Sequence, residues 1–508
     1  MKRISLILAA IILAVIPSCK KTPKEDPAPA SMTLSSSSAS TGVDGETLQV
    51  NITAPAKPRA SSDVPWITVS EGPFSSYKQT VSIKVEANPT HGERTGTVTF
   101  TCTPSGQTLT ASFTVKQTGK DKKQRPKADG TSGWVMAEKI GFGWNMGNQM
   151  DAYNNGVADE TCWTGVTATE KLFTSLKAKG VKTVRIPVTW LGHFGEAPEY
   201  KIDGRLDRVA ELVDWAEKAG LNAIINIHHD GAEGKFWLDI AAASKDKALR
   251  DKTSAQVKAM WTQIAERFKD KGDFLIFESF NEINDGGWGW SSDYLTSEGK
   301  KRQNACLDEW NQVFVDAVRA TGGNNSNRWL GIPGYCADPT FTMEGMTLPK
   351  DSAEGRLMVA VHYYAPWEFT LNCSASDWGH TRKTNLDKSE FDEAAMESIF
   401  EKMYNKWVAK GIPCYLGEFG CTMRADAKEK AFQMYYLEYL AKCAVTYGMG
   451  GILWDNNSSG TGEESHGYVD NASGEWIGYA EEVFGVLNRA FYSKDSSYAI
   501  ETVYDSAP

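Results

Sequence analysis

V-K-T-V-R-I-P-V at Val181–Val188, L-D-R-V-A-E-L-V-D-W-A-E-K-A at Leu206–Ala219 and A-I-I-N-I-H-H at Ala223–His229 together decide the fold. The first and third segments are short, apolar and rich in β-branched residues, as strands buried on both faces are. The second repeats its apolar residues with the period of a helix that buries one side. A strand, a helix and a second strand in that order form a parallel β-α-β unit. The same rhythm continues in both directions. Strand candidates lie at Phe142–Gly147, Val181–Val188, Ala223–His229, Leu275–Glu282, Trp329–Gly334, Met358–Tyr364, Cys414–Gly420 and Gly450–Asn456. Helical patterns fall between them at Thr169–Lys179, Leu206–Ala219, Ser254–Lys269, Cys306–Ala320, Phe391–Lys410 and Lys428–Tyr447. Eight such units over residues 134–503 predict a (β/α)₈ TIM barrel, an α/β fold.

Upstream of the barrel the pattern changes. T-L-Q-V-N-I-T-A at Thr47–Ala54, V-S-I-K-V-E-A at Val81–Ala87, G-T-V-T-F-T at Gly96–Thr101 and A-S-F-T-V-K-Q-T at Ala111–Thr118 alternate apolar and polar residues. Strands with one face in a core read this way, so residues 32–119 are expected to form a small all-β sandwich. Trp66 in this region is read as core more than as a ligand platform. The charged, Gly- and Pro-containing stretch at 120–133 reads as a linker, and the barrel is expected to fold without residues 1–127. At the N-terminus, Lys2 and Arg3 precede an apolar run from Ile4 to Ile16, too short to span a bilayer and typical of an export signal. The run ends in I-P-S-C at Ile16–Cys19, which resembles a bacterial lipobox. That resemblance implies cleavage after Ser18, acylation of Cys19, a tether over 19–31 and anchoring in the envelope of a Gram-negative cell, with the outer membrane expected.

Barrel enzymes collect their chemistry at the C-terminal ends of the strands. Six candidate strands end in groups that a packed core would not select: Arg185, His228 with His229, Asn281 with Glu282, His362 with Tyr364, Glu418 and Trp454. Cutting an acetal requires an acid beside the leaving oxygen and a second carboxylate beside the anomeric carbon. Glu282 and Glu418, on the fourth and seventh strands, are the natural catalytic pair. Glu278 shares the side-chain parity of Glu282 but lies four residues deeper, roughly 13 Å at the usual rise. It is assigned to structure, with Arg185 as its expected partner.

The motifs G-W-N-M-G-N, R-I-P-V, N-I-H-H-D, F-N-E, H-Y-Y, G-E-F-G and L-W-D-N, spread between Trp134 and Asn488, together resemble glycoside hydrolase family 5. The resemblance implies a retaining endo-β-1,4-glucanase with Glu282 as acid/base, Glu418 as nucleophile and Arg185 as partner of the nucleophile's carboxylate. It further implies that Asn281 holds a sugar 2-hydroxyl, that His228, His362 and Tyr364 orient carboxylates and substrate, and that Trp454 stacks under the sugar preceding the cut. His229 and the loop residue Trp237, also assigned to substrate, resemble subfamily 4, which acts on cellulose, mixed-linkage glucan and xyloglucan. P-W-I-T-V at Pro65–Val69, the stretch from Asn88-Pro89 to Arg94-Thr95-Gly96, and V-K-Q-T at Val115–Thr118 resemble BACON-type modules.

Composition narrows the partners. With 54 basic and 64 acidic residues the net charge is −10, so no basic field is present for nucleic acid. The 17 Trp and 18 Tyr suit neutral sugars, whose C–H edges lie on aromatic faces. Trp163, Trp237, Trp288, Trp290, Trp367 and Trp378 fall in strand-to-helix loops, where G-W-G-W at Gly287–Trp290 reads either as a sugar platform or as a pin for its own loop. Cysteine spacing contains no zinc pattern, and the paired histidines are read as lacking a carboxylate set, so no metal and no cofactor are expected. A monomer is expected. Two other readings compete: a catalytically inactive carbohydrate-capture lipoprotein, and a mannan-active enzyme on the same scaffold.

Overall fold

A computed structural model describes residues 27–386 and 391–508. Cys19 and the apolar run before it lie outside the described residues. The chain divides into two units, Met1–Lys122 and Lys123–Pro508.

Among its described residues the first unit contains eight strands: β1 Thr33–Leu34, β2 Ser38–Thr41, β3 Thr47–Thr53, β4 Arg59–Ser62, β5 Ile67–Ser75, β6 Lys78–Val85, β7 Arg94–Cys102 and β8 Leu109–Gln117. They form two four-stranded sheets, ordered β1-β3-β6-β5 and β2-β8-β7-β4. The alternation seen in the sequence becomes the core, where Val50, Ile52, Val81, Ile83, Val98, Phe100, Phe113 and Val115 are all buried. Trp66 packs against that core, and the Arg94 guanidinium lies 4.2 Å from its ring centroid, so one face of the indole is already covered.

The second unit is a closed barrel of eight parallel strands: β9 Phe142–Asn145, then, past the small hairpin β10 Tyr153–Asn154 and β11 Val157–Ala158, β12 Thr183–Ile186, β13 Asn222–Ile225, β14 Leu275–Glu278, β15 Leu330–Pro333, β16 Leu357–Tyr363, β17 Cys414–Phe419 and β18 Met449–Leu453. All eight expected strands are present, though most are shorter than their apolar runs. The hydrogen-bonded part of β14 stops at Glu278, and Glu282 stands on the extended segment beyond it. Two helices begin earlier than periodicity indicated, at Lys247 and Ser297. Each has a polar N-cap: Asp246 accepts from the backbone of Ala248 and Leu249, and Thr296 from that of Gly299. Capping extends both helices through mostly polar turns, where Leu249 and Ala305 are too isolated to set a period.

The stretch read as a linker is bonded to the barrel from Lys123 onward. Lys123 Nζ donates to Glu401 at 2.9 Å. The Arg125 guanidinium bonds Glu397 at 2.7 Å and also pairs with Glu501, and both glutamates are buried. Burial pushes the Glu397 carboxyl up, but Arg125 and the Tyr447 hydroxyl more than offset it and leave its pKa below the ordinary value. All eight cysteines of the described residues are free thiols.

Candidate active site

The floor of the barrel mouth is a buried polar cluster around Arg185, whose side chain is fully covered. Its Nε and Nη2 donate to one oxygen of Glu278 at 3.0 and 2.7 Å. Its Nη1 donates to Glu418 at 2.7 Å and to Asn145 Oδ1 at 2.9 Å, while Nη2 also reaches Asn281 Oδ1 at 2.9 Å. The guanidinium thus satisfies two carboxylates and two amides in one plane, a task that suits the forked geometry of arginine. Glu278 receives two further bonds, from Asn226 Nδ2 at 3.0 Å and the Tyr415 hydroxyl at 2.5 Å. Gly331 makes room for the tyrosine contact, since a Cβ there would lie 2.4 Å from the Tyr415 oxygen. Glu278 therefore belongs to the foundation, as its depth predicted.

Glu418 is aimed by an irregularity in β17. The pairing register shifts on both sides of Gly417, against β16 and against β18. Bulges of this kind turn a side chain out of the ladder. Gly417 leaves room for the histidine beside it, since a Cβ there would sit 3.0 Å from His362 Nε2, tighter than most such contacts. Glu418 Oε1 accepts from Arg185, and Oε2 accepts from the Tyr364 hydroxyl at 3.1 Å. His362 Nδ1 lies 2.7 Å from Glu282 and 3.6 Å from Glu418, between the two carboxyls. One oxygen of Glu282, one of Glu418 and a His362 nitrogen all fall within 4.8 Å of one another.

Electrostatics separate the roles of these groups. Burial raises the Glu418 pKa, His362 and Arg185 oppose the rise, and the neighbouring Glu282 charge adds to it. The charge on Glu282 therefore disfavours ionisation of Glu418 beside it. Burial works against a charged His362, yet Glu418 and Glu282 outweigh it and raise its pKa. His228 is driven the other way, well below the usual value, by burial and by the neighbouring His229, Arg185 and His362. It is neutral. The Tyr364 phenol is held protonated by burial and by Glu418, so it remains a donor to that carboxylate.

Most of the residues singled out in the sequence converge on this floor. Glu282, Glu418, Arg185, Asn281, His362 and Tyr364 form one bonded set, and His228 Nε2 stands 4.0 Å from Glu418. Trp454 follows β18 directly, its ring parallel to that of His228 with centroids 6.2 Å apart. His229 sits at the rim, its ring 5.7 Å from both Tyr153 and Trp163. Trp237 Nε1 donates to the buried Asp230 at 2.7 Å, and its ring packs edge-on to Phe194. Sequence reasoning gave no role to Asn145, Asn226 or Tyr415. Asn145 stood inside a quoted motif at a strand end, which was signal enough to find it.

The histidine pair does have a carboxylate neighbour, which corrects the expectation that none was near. Asp151, His228 and His229 each place one ligand atom within 4.8 Å of the others. Asp151 already accepts from the backbone of Asn148 and Gln149 at 3.1 and 2.8 Å. His228 Nδ1 faces Asn226 Nδ2 at 3.2 Å, so it accepts that amide proton and carries its own on Nε2, toward Glu418. With that nitrogen protonated, His228 is set to orient a carboxylate and not to bind a cation.

Known proteins agree with this geometry. Residues 148–460 match the cellulase family, glycosyl hydrolase family 5, and residues 55–118 match the BACON domain. Endoglucanase A of Paenibacillus barcinonensis is 35% identical over 67% of this chain and 85% of its own length. A xyloglucan-specific endo-β-1,4-glucanase of Bacteroides ovatus is 32% identical over 81% of this chain and 83% of its own. The solved structure of a broad-specificity endoglucanase from Bacteroides salanitronis is 50% identical, covers 74% of this chain and 99% of its own, and superposes with a TM-score of 0.69. With a barrel of this construction, two glutamates facing each other across its mouth and relatives of this extent, the chain belongs to glycoside hydrolase family 5.

Proposed function

We propose that the protein is a retaining endo-β-1,4-glucanase that cuts internal bonds of plant β-glucans, its substrate being xyloglucan, mixed-linkage glucan or cellulose. The observation that carries this reading is the proximity of the two carboxyls, one oxygen of each lying within 4.8 Å. Proximity of this order fits the short carboxyl separation of retaining enzymes, in which the second carboxylate attacks the sugar directly. Glu418, ionised and held by Arg185 and Tyr364, attacks the anomeric carbon. Glu282 gives its proton to the departing glycosidic oxygen. It then takes a proton from the water that releases the glycosyl-enzyme, so each carboxyl returns to its starting state. Bonds from Arg185 fix Glu418 in line, and the same guanidinium holds Asn281, which supports the sugar's 2-hydroxyl. Trp454 stacks under the sugar before the cut, with His228 and His229 beside it.

The protein acts as a monomer and is carried on the outer membrane by an acylated Cys19. The apolar run ending at Ile16-Pro17-Ser18-Cys19 supports that reading. Its test is labelling with a fatty acid in cells, which should be abolished by Cys19→Ala. Release of reducing ends from xyloglucan, barley-type glucan, carboxymethylcellulose, mannan and xylan tests the substrate class. Long oligosaccharides should precede monosaccharide, and turnover of mannan alone would overturn the reading.

A further inference from the structure

The catalytic floor opens sideways into a pocket that the bond-cutting steps above do not use. With a volume of about 250 Å³, it begins at His362 and Tyr364 and runs outward between the helix Pro339–Gly345 beyond β15 and the helix Glu393–Lys406 beyond β16. A second hollow of about 470 Å³ shares Thr340, Ile399 and Lys402 with the first. The two form one groove that leads from the carboxyls down the flank of the barrel. In the closed strand order β15 and β16 lie opposite β9 and β12. Trp454 and His228, assigned above to the sugar before the cut, stand over β18 and β13, on either side of β9 and β12. The groove therefore leaves the mouth on the side of the departing half of the chain.

Its lining is polar and largely unengaged. Asp338 follows a turn in which Cys336 and Ala337 are both left-handed, with φ of 56° and 50°. Its carboxylate accepts from the Phe341 backbone at 2.9 Å and keeps further acceptor sites for the pocket that it lines. Across the groove, the Lys402 ammonium and the Ser398 hydroxyl have no hydrogen-bond or ion-pair partner among the described residues. Neighbouring lysines are engaged: Lys300 bonds Glu344 at 3.0 Å, and Lys406 bonds the Met343 carbonyl.

These features identify an occupant. A glucan main chain has to cross both carboxyls, so it cannot also turn down the flank; a group that the chain carries sideways can. An ammonium, a hydroxyl and a carboxylate together suit the hydroxyls of a neutral sugar held by its edge, and the Asp338 charge disfavours an acidic one. We propose that this pocket is a branch site, which receives a neutral sugar branch carried by the leaving-side part of the glucan and so favours xyloglucan over unbranched glucan. The inference rests on the glucanase reading above and narrows it.

The test compares xyloglucan with unbranched barley-type glucan. In Lys402→Ala/Ser398→Ala, kcat/KM on xyloglucan should fall about five- to tenfold, as for two hydrogen bonds lost, while barley-type glucan stays within about twofold. Ser398→Trp, which fills the pocket from an accessible helix face, should reduce xyloglucan turnover at least as far and again spare barley-type glucan. Melting temperatures close to that of the wild type confirm that each variant is folded. An aryl glycoside of a xyloglucan oligosaccharide carries its branches only on the other side of the cut, so its turnover should not change. Equal losses on the two polymers, an unchanged rate on xyloglucan in both variants, or a matching loss on the branched aryl glycoside would overturn the branch site. Wild-type protein that cuts barley-type glucan but not xyloglucan would overturn it while leaving the glucanase reading intact. Wild-type protein that cuts no β-glucan would overturn that reading and the branch site with it.

Discussion

The floor and the rim of the barrel mouth are built on opposite plans. Floor residues are charged, buried and bonded almost to capacity: Glu278 alone receives two bonds from Arg185, one from Asn226 and one from Tyr415. Rim residues are aromatic, partly exposed and bonded to little: Trp163, Trp288, Trp290 and Trp367 each show more than two fifths of their surface. The floor has one substrate-independent task, which is to hold two carboxyls at a fixed separation. Water exclusion and crossed hydrogen bonds serve that task, because a misplaced partner there leaves a buried charge unpaired. The rim must accept a chain of many similar rings, and flat apolar surface does so without demanding one exact pose. On the function proposed above, fixed chemistry belongs to the floor and recognition of the glucan chain to the rim.

Substitutions should separate the two layers. The largest effect is expected for Glu418→Ala, with turnover falling on the order of 10⁵-fold on polymer and aryl glycoside alike, because no other group can form the covalent bond. Glu282→Ala should lose about 10²- to 10⁴-fold on polymer but far less on an aryl glycoside whose leaving group needs no proton, and azide should accelerate it. Loss of activity on both substrates without azide rescue would refute the acid/base role. Glu278→Gln touches no sugar, yet it removes the charge that braces Arg185. A fall of about 10²-fold in kcat with little change in KM is expected. A change in KM alone would place Glu278 in the rim's task.

Acidity gives a further test of the floor. Because burial raises the Glu418 pKa above 4.5, protonation should disarm the nucleophile at a pH above the ordinary carboxylate range. The acid limb of kcat/KM should sit there, with rate lost as pH falls through it. A limb at or below the ordinary range would show that Arg185 and His362 outweigh burial.

Arg125 lies far from this chemistry and supplies a control in stability alone. Removing residues 1–127 strips Glu397 and Glu501 of their buried cation and should cost the barrel about 3–5 kcal/mol, whereas removing residues 1–122 should leave its melting temperature unchanged. Glu397 has a lowered pKa when folded, so its stabilisation is present above the unfolded value and disappears as pH falls through the folded one. Melting curves of the two truncations should therefore converge in acid. Smallest of all, Trp163→Ala at the rim should raise polymer KM only a few-fold.

The same division explains what could be read from sequence. Strand ends recur at regular intervals, so Arg185, Glu282, His362, Tyr364 and Glu418 announced themselves as polar residues where apolar ones were due. Glu278 was assigned correctly from strand rise alone. Partners reached across the barrel carry no such marker: nothing in the spacing of Asn226 or Tyr415 states that both converge on Glu278. Asp151 stands in a loop after β9, and only folding brings it to His229, 3.7 Å away. Trp237 shows the limit at the rim, where an aromatic in a loop serves ligand or scaffold equally well in sequence. Its indole bonds Asp230, a partner that no spacing announces.

The pairing of Glu282 with Glu418 as acid/base and nucleophile is tested most directly by proton NMR of the first products of glucan cleavage. A β-anomer appearing first, before mutarotation, is the result this geometry requires, since two displacements restore the starting configuration. An α-anomer appearing first would mean a single displacement by water, and the assignment of Glu418 as nucleophile would be wrong.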